Sequence, residues 1–328
     1  MNIELKYGFK HNLIAVLIAC LTLMLGAVGI SYRIGGLVML PLISAFLAFL
    51  MCIEKKRILS FAVSLILIIG ELVRSTTDYY TLTSLASVGV AIVIAFHYLK
   101  QKEKHESALF TTLIVAVLIV VSAALYIFGT TDVSSLSEAY EYFLSAYNSF
   151  KENTVASILN TYGNAGVDSA MLSKEYMNTV FDAYLNCIVA FVSILAFFLT
   201  GLSHKIFSGL TKRYQKNPEP WHFIPGTAFA YFYVIVAILS MFTTDPTSVI
   251  DVSVANLYLI FMFVFAYAGF SFVTFALNQR RKRSLFTPVA IIILTVLFSS
   301  FAIQILAVIG AFATIYRAKL IKNDNKSI

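Results

Sequence analysis

Charge is scarce in this chain: Asp, Glu, Lys and Arg together make up 12% of 328 residues, about half of what a soluble domain carries to keep its surface in water. Tryptophan occurs once, proline six times and cysteine three times. Cys20, Cys52 and Cys187 lie in apolar text, without close pairing or neighbouring histidines. Neither a disulfide framework nor a metal site is expected of them, and they read as small packing residues. No glycine-rich phosphate loop ending in Lys-Ser or Lys-Thr occurs, nor Gly-x-Ser-x-Gly, nor His-Glu-x-x-His. These absences exclude nucleotide hydrolysis through a phosphate loop, a nucleophile elbow and a zincin helix, so an enzyme and a cofactor are not expected. His11, His97, His105, His204 and His222 fall at or beyond the ends of apolar runs and read as solvated loop or interface residues. No tandem repeat or low-complexity segment is evident.

What is present is apolar text, 59% of the residues at a mean hydropathy of +0.83, in long continuous runs rather than in alternation. Lipid cannot satisfy backbone polar groups, so such runs predict helices and not barrel strands: an all-α polytopic membrane protein. The formal charge of +7 follows from basic loops on the cytoplasmic face, helped by anionic membrane lipid, and calls for no nucleic acid. Leu17-Ile-Ala-Cys20 matches a lipoprotein cleavage box, but the apolar run continues through Leu25 to Ile30, so the first helix is expected to be retained as an anchor.

Taken in order, apolar runs cover Asn12 to Tyr32, Gly36 to Ile53, Ile58 to Val73, Thr81 to Leu99 and Ala108 to Gly129. After a polar interval they resume at Ala183 to Leu202, Ile224 to Phe242 and Val252 to Leu277. The breaks at Glu54-Lys55-Lys56-Arg57, Lys100 to Lys104, Lys205 to Lys216 and Arg280 to Arg283 are basic and belong inside. Pro218-Glu-Pro220-Trp221 reads as an interfacial elbow. The last run, Leu285 to Tyr316, would make a helix of about 45 Å against a hydrocarbon core of about 30 Å. Breaking it near Ser299-Ser300 returns Arg317, Lys319, Lys322 and Lys326 to the inside. That gives about ten spans with both termini cytoplasmic, nine or eight being the alternatives.

The polar interval divides the chain into an N-terminal bundle of five spans over residues 1–130, an outer insert over 131–179 and a C-terminal bundle of four or five spans over 180–328. In or just past it stand Asp132, Glu138, Glu141, Glu152, Asp168, Glu175 and Asp182 against Lys151 and Lys174, a balance that belongs on the outer face. Ser135-Leu-Ser-Glu138 has the spacing of a capping box and starts a helix near Leu136. Leu136, Tyr140, Phe143, Leu144, Tyr147, Phe150, Val155 and Leu159 then form an approximate apolar stripe that must lie on something. A break at Gly163-Asn-Ala-Gly166 and a second helix from about Ser173 complete an extracytoplasmic helical hairpin.

Polar groups inside lipid are costly and usually face a partner or a cavity. Glu71 and Arg74 stand three apart near the outer end of the third span and can pair there, beside Tyr79 and Tyr80. Asn186, Asn256 and Gln304 lie within or near later spans. Amides of this kind either serve a ligand or hold helices together, the latter worth about 1 kcal/mol or less. Glu71, Arg74 and Asn256 are therefore the candidate ligand-binding residues. Ala15-Val-Leu-Ile-Ala19 is a small-xxx-small pattern that lets another helix approach closely, so Ala15 and Ala19 are the candidate partner-docking positions.

Trp221-His-Phe-Ile-Pro225, the run from Asn256 through Gly269-Phe-Ser271, and Ile309-Gly310 shortly before Tyr316-Arg317 resemble the YybS-like family of bacterial membrane proteins, domain of unknown function 2232. The likeness covers most of the chain in layout and implies no settled biochemical role. The family often carries an acid between that glycine and arginine. Here Ala311-Phe-Ala-Thr-Ile-Tyr316 has none, so no such role is carried over. The N-terminal spans are also similar to the substrate-binding subunits of energy-coupling-factor vitamin transporters, in which a small-xxx-small motif on the first helix docks a membrane coupling subunit. Ala15 and Ala19 match it, although those subunits have fewer spans and no large outer insert. The reading is a solute-binding, transporter-type subunit with a small solute and a membrane coupling subunit as partners. The alternative is a membrane scaffold or sensor acting through its acidic outer hairpin.

Overall fold

The computed structural model describes residues 9–31, 35–53, 56–75, 82–100, 104–162, 173–212, 225–243, 245, 248–280 and 301–316. The regular elements among them are helices: α1 (Phe9–Ser31), α2 (Gly35–Cys52), α3 (Arg57–Ser75), α4 (Thr83–Leu99), α5 (Lys104–Thr130), α6 (Leu136–Tyr162), α7 (Lys174–Asn186), α8 (Ile188–Lys212), α9 (Thr227–Ser240) and α10 (Val249–Arg280), with α11 (Phe301–Tyr316) closing the chain. Stretches Glu106–Thr130, Ile188–Thr211 and Val249–Thr274 are long and apolar enough to cross a bilayer, and shorter apolar helices accompany them. Leu113 and Val120 on α5 and Val189 and Phe198 on α8 stand exposed, the arrangement expected where lipid and not water is the solvent. The expected breaks at Gly163–Gly166 and Ser299-Ser300, and the Pro218–Trp221 elbow, lie outside the described residues.

Two packed groups share α8. In the first, α2 is central and touches α1, α3, α4 and α8, while α5 closes against α4 and α8. Leu40, Leu47, Phe49, Leu50 and Val90 are fully or almost fully buried in its core. In the second, α10 holds α9, and Phe265 sits between Tyr233 of α9 and Ala307 and Ala311 of α11. Ala108 of α5, Phe197 of α8 and Ala268 of α10 form the small cluster that joins the groups.

The outer insert is built locally. At the start of α6 the Glu138 N–H donates to the Ser135 hydroxyl at 3.3 Å. The Glu138 carboxylate reaches back one residue further than expected, accepting the Ser134 N–H at 2.9 Å and the Ser134 hydroxyl at 3.2 Å. These bonds, the Ser134 N–H foremost, hold the exposed Glu138 carboxyl below its ordinary range. Ser173 caps α7 by accepting the Tyr176 N–H at 3.2 Å. The helices then meet through the Tyr147 hydroxyl, which donates to the Phe181 carbonyl, the edge-on pair Phe150 and Phe181 and an ion pair from Lys151 to Asp182 at 2.8 Å. The expected stripe is only partly covered. Val155 is buried, whereas Leu136, Tyr140 and Phe150 are 76%, 62% and 59% exposed.

Candidate functional site

Helix α4 starts inside the first group with a backbone problem. Its first turn has free N–H groups, and Leu82, at the N-cap, has no side chain able to accept one. Neighbouring helices supply the acceptors. Glu71 of α3 places both carboxylate oxygens 2.9 Å from the Ser84 nitrogen, and one of them accepts the Leu85 N–H at 3.1 Å. From the other side the Leu82 N–H donates to the Ser122 hydroxyl of α5 at 3.2 Å. Glu71 is 6% exposed. A negative group at the positive end of a helix dipole, bonded to the groups that carry the partial charge, is favourably placed. Among the described residues Glu71 thus makes three contacts to the backbone of α4. The Arg74 side chain, Tyr79 and Tyr80 lie outside the described residues.

Beside this capped end lies a cavity of about 340 Å³ between the start of α2, the start of α4 and the last turns of α5. Leu37 and Leu40, Leu82, Thr83 and Ala86, and Val115 to Tyr126 of α5 supply its walls, which are apolar apart from the hydroxyls of Thr83, Ser122 and Tyr126. Because α5 leads into the insert, the cavity lies on the insert's side of the bundle. Ser122 is occupied, donating to the Leu118 carbonyl at 2.6 Å. The Thr83 hydroxyl is buried and has no hydrogen-bond partner among the described residues. The sequence pointed to this end of the bundle through Glu71, but gave no sign of Thr83 or of the cavity.

Asn256, the third candidate, is spent on structure. Helices α7 and α8 are interrupted at Cys187, and a break of this kind frees backbone groups inside the bundle. From α10 the Asn256 amide spans it: its nitrogen donates to the Asn186 carbonyl at 2.7 Å and to the Val252 carbonyl at 2.8 Å, and its oxygen accepts the Ala190 N–H at 2.9 Å. Asn256→Leu should destabilise the protein by about 2 kcal/mol, the cost of orphaning buried backbone groups, and should lower the unfolding temperature without weakening any ligand at the α4 cavity. Gln304 is exposed.

Ala15 and Ala19 are 0% and 4% exposed, packed in the core of their own chain. The close approach they allow is taken by helices of the same bundle, α1 being in contact with α2, α3 and α4. Ala15→Leu is therefore expected to cost about 1–3 kcal/mol through overpacking, seen as reduced thermal stability of the isolated protein. An unchanged unfolding temperature would return this face to partner docking.

Two histidines read as solvated are not. His97 and His204 are 8% and 6% exposed; those at 11, 105 and 222 lie outside the described side chains. His97 Nδ1 is 2.9 Å from the Val93 carbonyl. His204 Nε2 lies 3.4 Å from the hydroxyls of both Ser107 and Thr111, in a buried polar seam where α8 meets α5 and α2. Thr112 and Thr200 approach to 3.0 Å there, and Ser44 donates to Ser203 at 2.9 Å. Spacings such as Thr200-x-x-Ser203-His204 and Ser107-x-x-x-Thr111 put these groups on one helix face, the signal by which the seam was readable. Among the described residues no group of acids, cysteines and histidines is arranged to hold a metal ion.

The model of a family described as a predicted membrane protein, DUF2232, matches residues 13–312. No curated protein and no solved structure matches the chain.

Proposed function

Because the chain belongs to the DUF2232 family of predicted membrane proteins, we propose that it is a solute-binding, transporter-type subunit of the cytoplasmic membrane and not an enzyme. The observation that carries the reading is the cavity at the start of α4, of about 340 Å³, within the size of small-molecule sites at roughly 300–1,000 Å³. The solute enters from the outer side and is held between α2, α4 and α5. A membrane coupling subunit, where transport follows, docks on the lipid-facing side of the bundle and not on Ala15 and Ala19. Screening the purified protein against small-molecule libraries for thermal stabilisation tests the reading, since a ligand at 100 times its Kd adds about 2.7 kcal/mol. Stabilisers that act equally on a variant with the cavity filled count against it.

Orientation follows from charge. Lys56, Arg57 and Lys100 lie at the ends of α2, α3 and α4 away from the cavity, while the acidic insert follows α5 on the cavity side. A cysteine placed at Ser149 should react with an impermeant thiol reagent on intact cells, and one at Lys100 should stay protected until the membrane is opened. The reverse pattern would invert the topology and place the cavity on the cytoplasmic side.

A second reading, a scaffold or sensor acting through the hairpin, draws on the exposed Leu136, Tyr140 and Phe150 of α6. It requires that polar replacements there abolish function in cells while leaving solute binding intact.

A further inference from the structure

We infer that the α4 cavity selects an uncharged, largely apolar solute bearing a hydrogen-bonding group that meets the Thr83 hydroxyl; this rests on the solute-binding reading above and names the chemistry of that site.

The charge selectivity comes from Glu71. A helix N-terminus is ordinarily an anion site, because free N–H groups and the dipole both favour negative charge. Here those groups are already bonded to a carboxylate of the same chain, at 2.9 and 3.1 Å. An anionic solute would meet N–H donors that are already taken and a like charge. Among the described residues no Lys or Arg lines the cavity to offset it. A cation gains no acidic wall residue either, since Glu71 is turned to the backbone and does not line the cavity. Removing any charge from water into this lining is therefore uncompensated.

The polar contact comes from Thr83. Serine and threonine inside membrane helices satisfy their hydroxyls by donating to the carbonyl four residues back. This chain does so repeatedly, as at Thr22, Ser44, Ser64, Thr111, Thr200 and Ser203. Thr83 is the first residue of α4, so no earlier turn of that helix offers it a carbonyl, and its buried hydroxyl has no partner among the described residues. Ser87, one turn later and fully buried, is likewise unpartnered. On the opposite wall Pro41 has no N–H to give the Leu37 carbonyl, so Leu37, which also lines the cavity, contributes an acceptor relieved of its intrahelical donor. An apolar body with a hydroxyl or amide group fits this combination; a phosphate, carboxylate or ammonium does not.

The test uses the full chain in lipid nanodiscs with three probes of one ring system: naphthalene, 2-naphthol and 2-naphthoate. Binding is measured by equilibrium dialysis, and partition into lipid is removed by subtracting the cavity-filled variants Ala86→Phe and Ala123→Leu. Ala123 is an exposed wall residue, so Ala123→Leu stays informative should Ala86→Phe fail to fold. The expected order is 2-naphthol above naphthalene, with no specific signal from 2-naphthoate. Thr83→Val, which keeps the shape and removes the hydroxyl, should weaken 2-naphthol about fivefold, the worth of one net hydrogen bond, and leave naphthalene unchanged. Cavity-dependent binding of 2-naphthoate as tight as that of 2-naphthol would overturn the charge selectivity while leaving a solute site in place. So would a Thr83→Val variant that binds both neutral probes as the parent does, for the hydrogen-bond assignment. If neither filled variant alters the binding of any probe, the cavity is not a site and the solute-binding reading falls with it.

Discussion

Replacing Gly269 with leucine should separate α11 from α10 and cost the protein about 3 kcal/mol or more, above the ordinary range for overpacking. The crossing has no side chain in it that could yield. A β-carbon at Gly269 would fall on the Leu306 carbonyl oxygen, and one at Gly310 on that of Phe265. The contact is backbone against backbone, reciprocal, and buried with Phe265 at 0% exposure. Even alanine at either glycine must push the helices apart, so Gly269→Ala should already lower the unfolding temperature, with Gly269→Leu lowering it much further. A pair of cysteines at Met262 and Thr314, one turn beyond the crossing on each helix and cross-linked only when α11 is docked, reports the separation directly. Wild-type cross-linking by Gly269→Leu would contradict the packing described.

Glu71→Ala should be the second most damaging single change, at about 3 kcal/mol, because it leaves buried N–H groups of α4 without acceptors, each worth about 1–3 kcal/mol. Glu71→Gln keeps one acceptor oxygen and should lose roughly half as much. The bonds that Glu71 makes among the described residues are to backbone, so a second change at Arg74 should not restore stability to Glu71→Gln. Had the two side chains been a pair, the double neutral variant would be the more stable one. Thermal unfolding of the two single variants and the double variant decides it: rescue by Arg74→Gln would reinstate the ion pair. Amide exchange at Ser84 and Leu85 should rise in Glu71→Ala before any other part of α4 opens.

Those two residues also mark how far the sequence could be read. Local grammar was legible. The hydroxyl and carboxylate of Ser135 and Glu138 set the start of α6 at Leu136, and Ser173 set that of α7, because capping needs only residues three or four apart. Tertiary partners were not. Helical spacing shows Arg74 beside Glu71, but the oxygens of Glu71 also accept from a helix that begins twelve residues after it, a connection no periodicity contains. The histidines were misplaced for a related reason. Lys205 looks like the end of a span, but α8 continues to Lys212, since a lysine can carry its charge outward while its stem stays on the helix. His204 is therefore inside the bundle. The stripe on α6 was overread in the opposite sense: α7, with 13 residues, can cover only part of a helix of 27.

Three of the residues that carried the family resemblance are architectural. Asn256 satisfies the backbone at the α7–α8 break, and Gly269 and Gly310 make the α10–α11 crossing. None of the three lines the α4 cavity. The chemistry proposed for this protein instead sits in the other half of the chain, in Thr83 and the α2, α4 and α5 walls, where composition shows only apolar text.

The most direct measurement is native mass spectrometry of the protein purified from its own membranes, followed by release and identification of bound small molecules. A solute-binding subunit should release a neutral, mostly apolar compound in near-stoichiometric amount from the wild type. The Ala123→Leu variant, equally folded, should release little or none of it. A wild-type protein that carries nothing but bulk lipid, in the same amount and composition as Ala123→Leu, would contradict the assignment of the α4 cavity as a binding site.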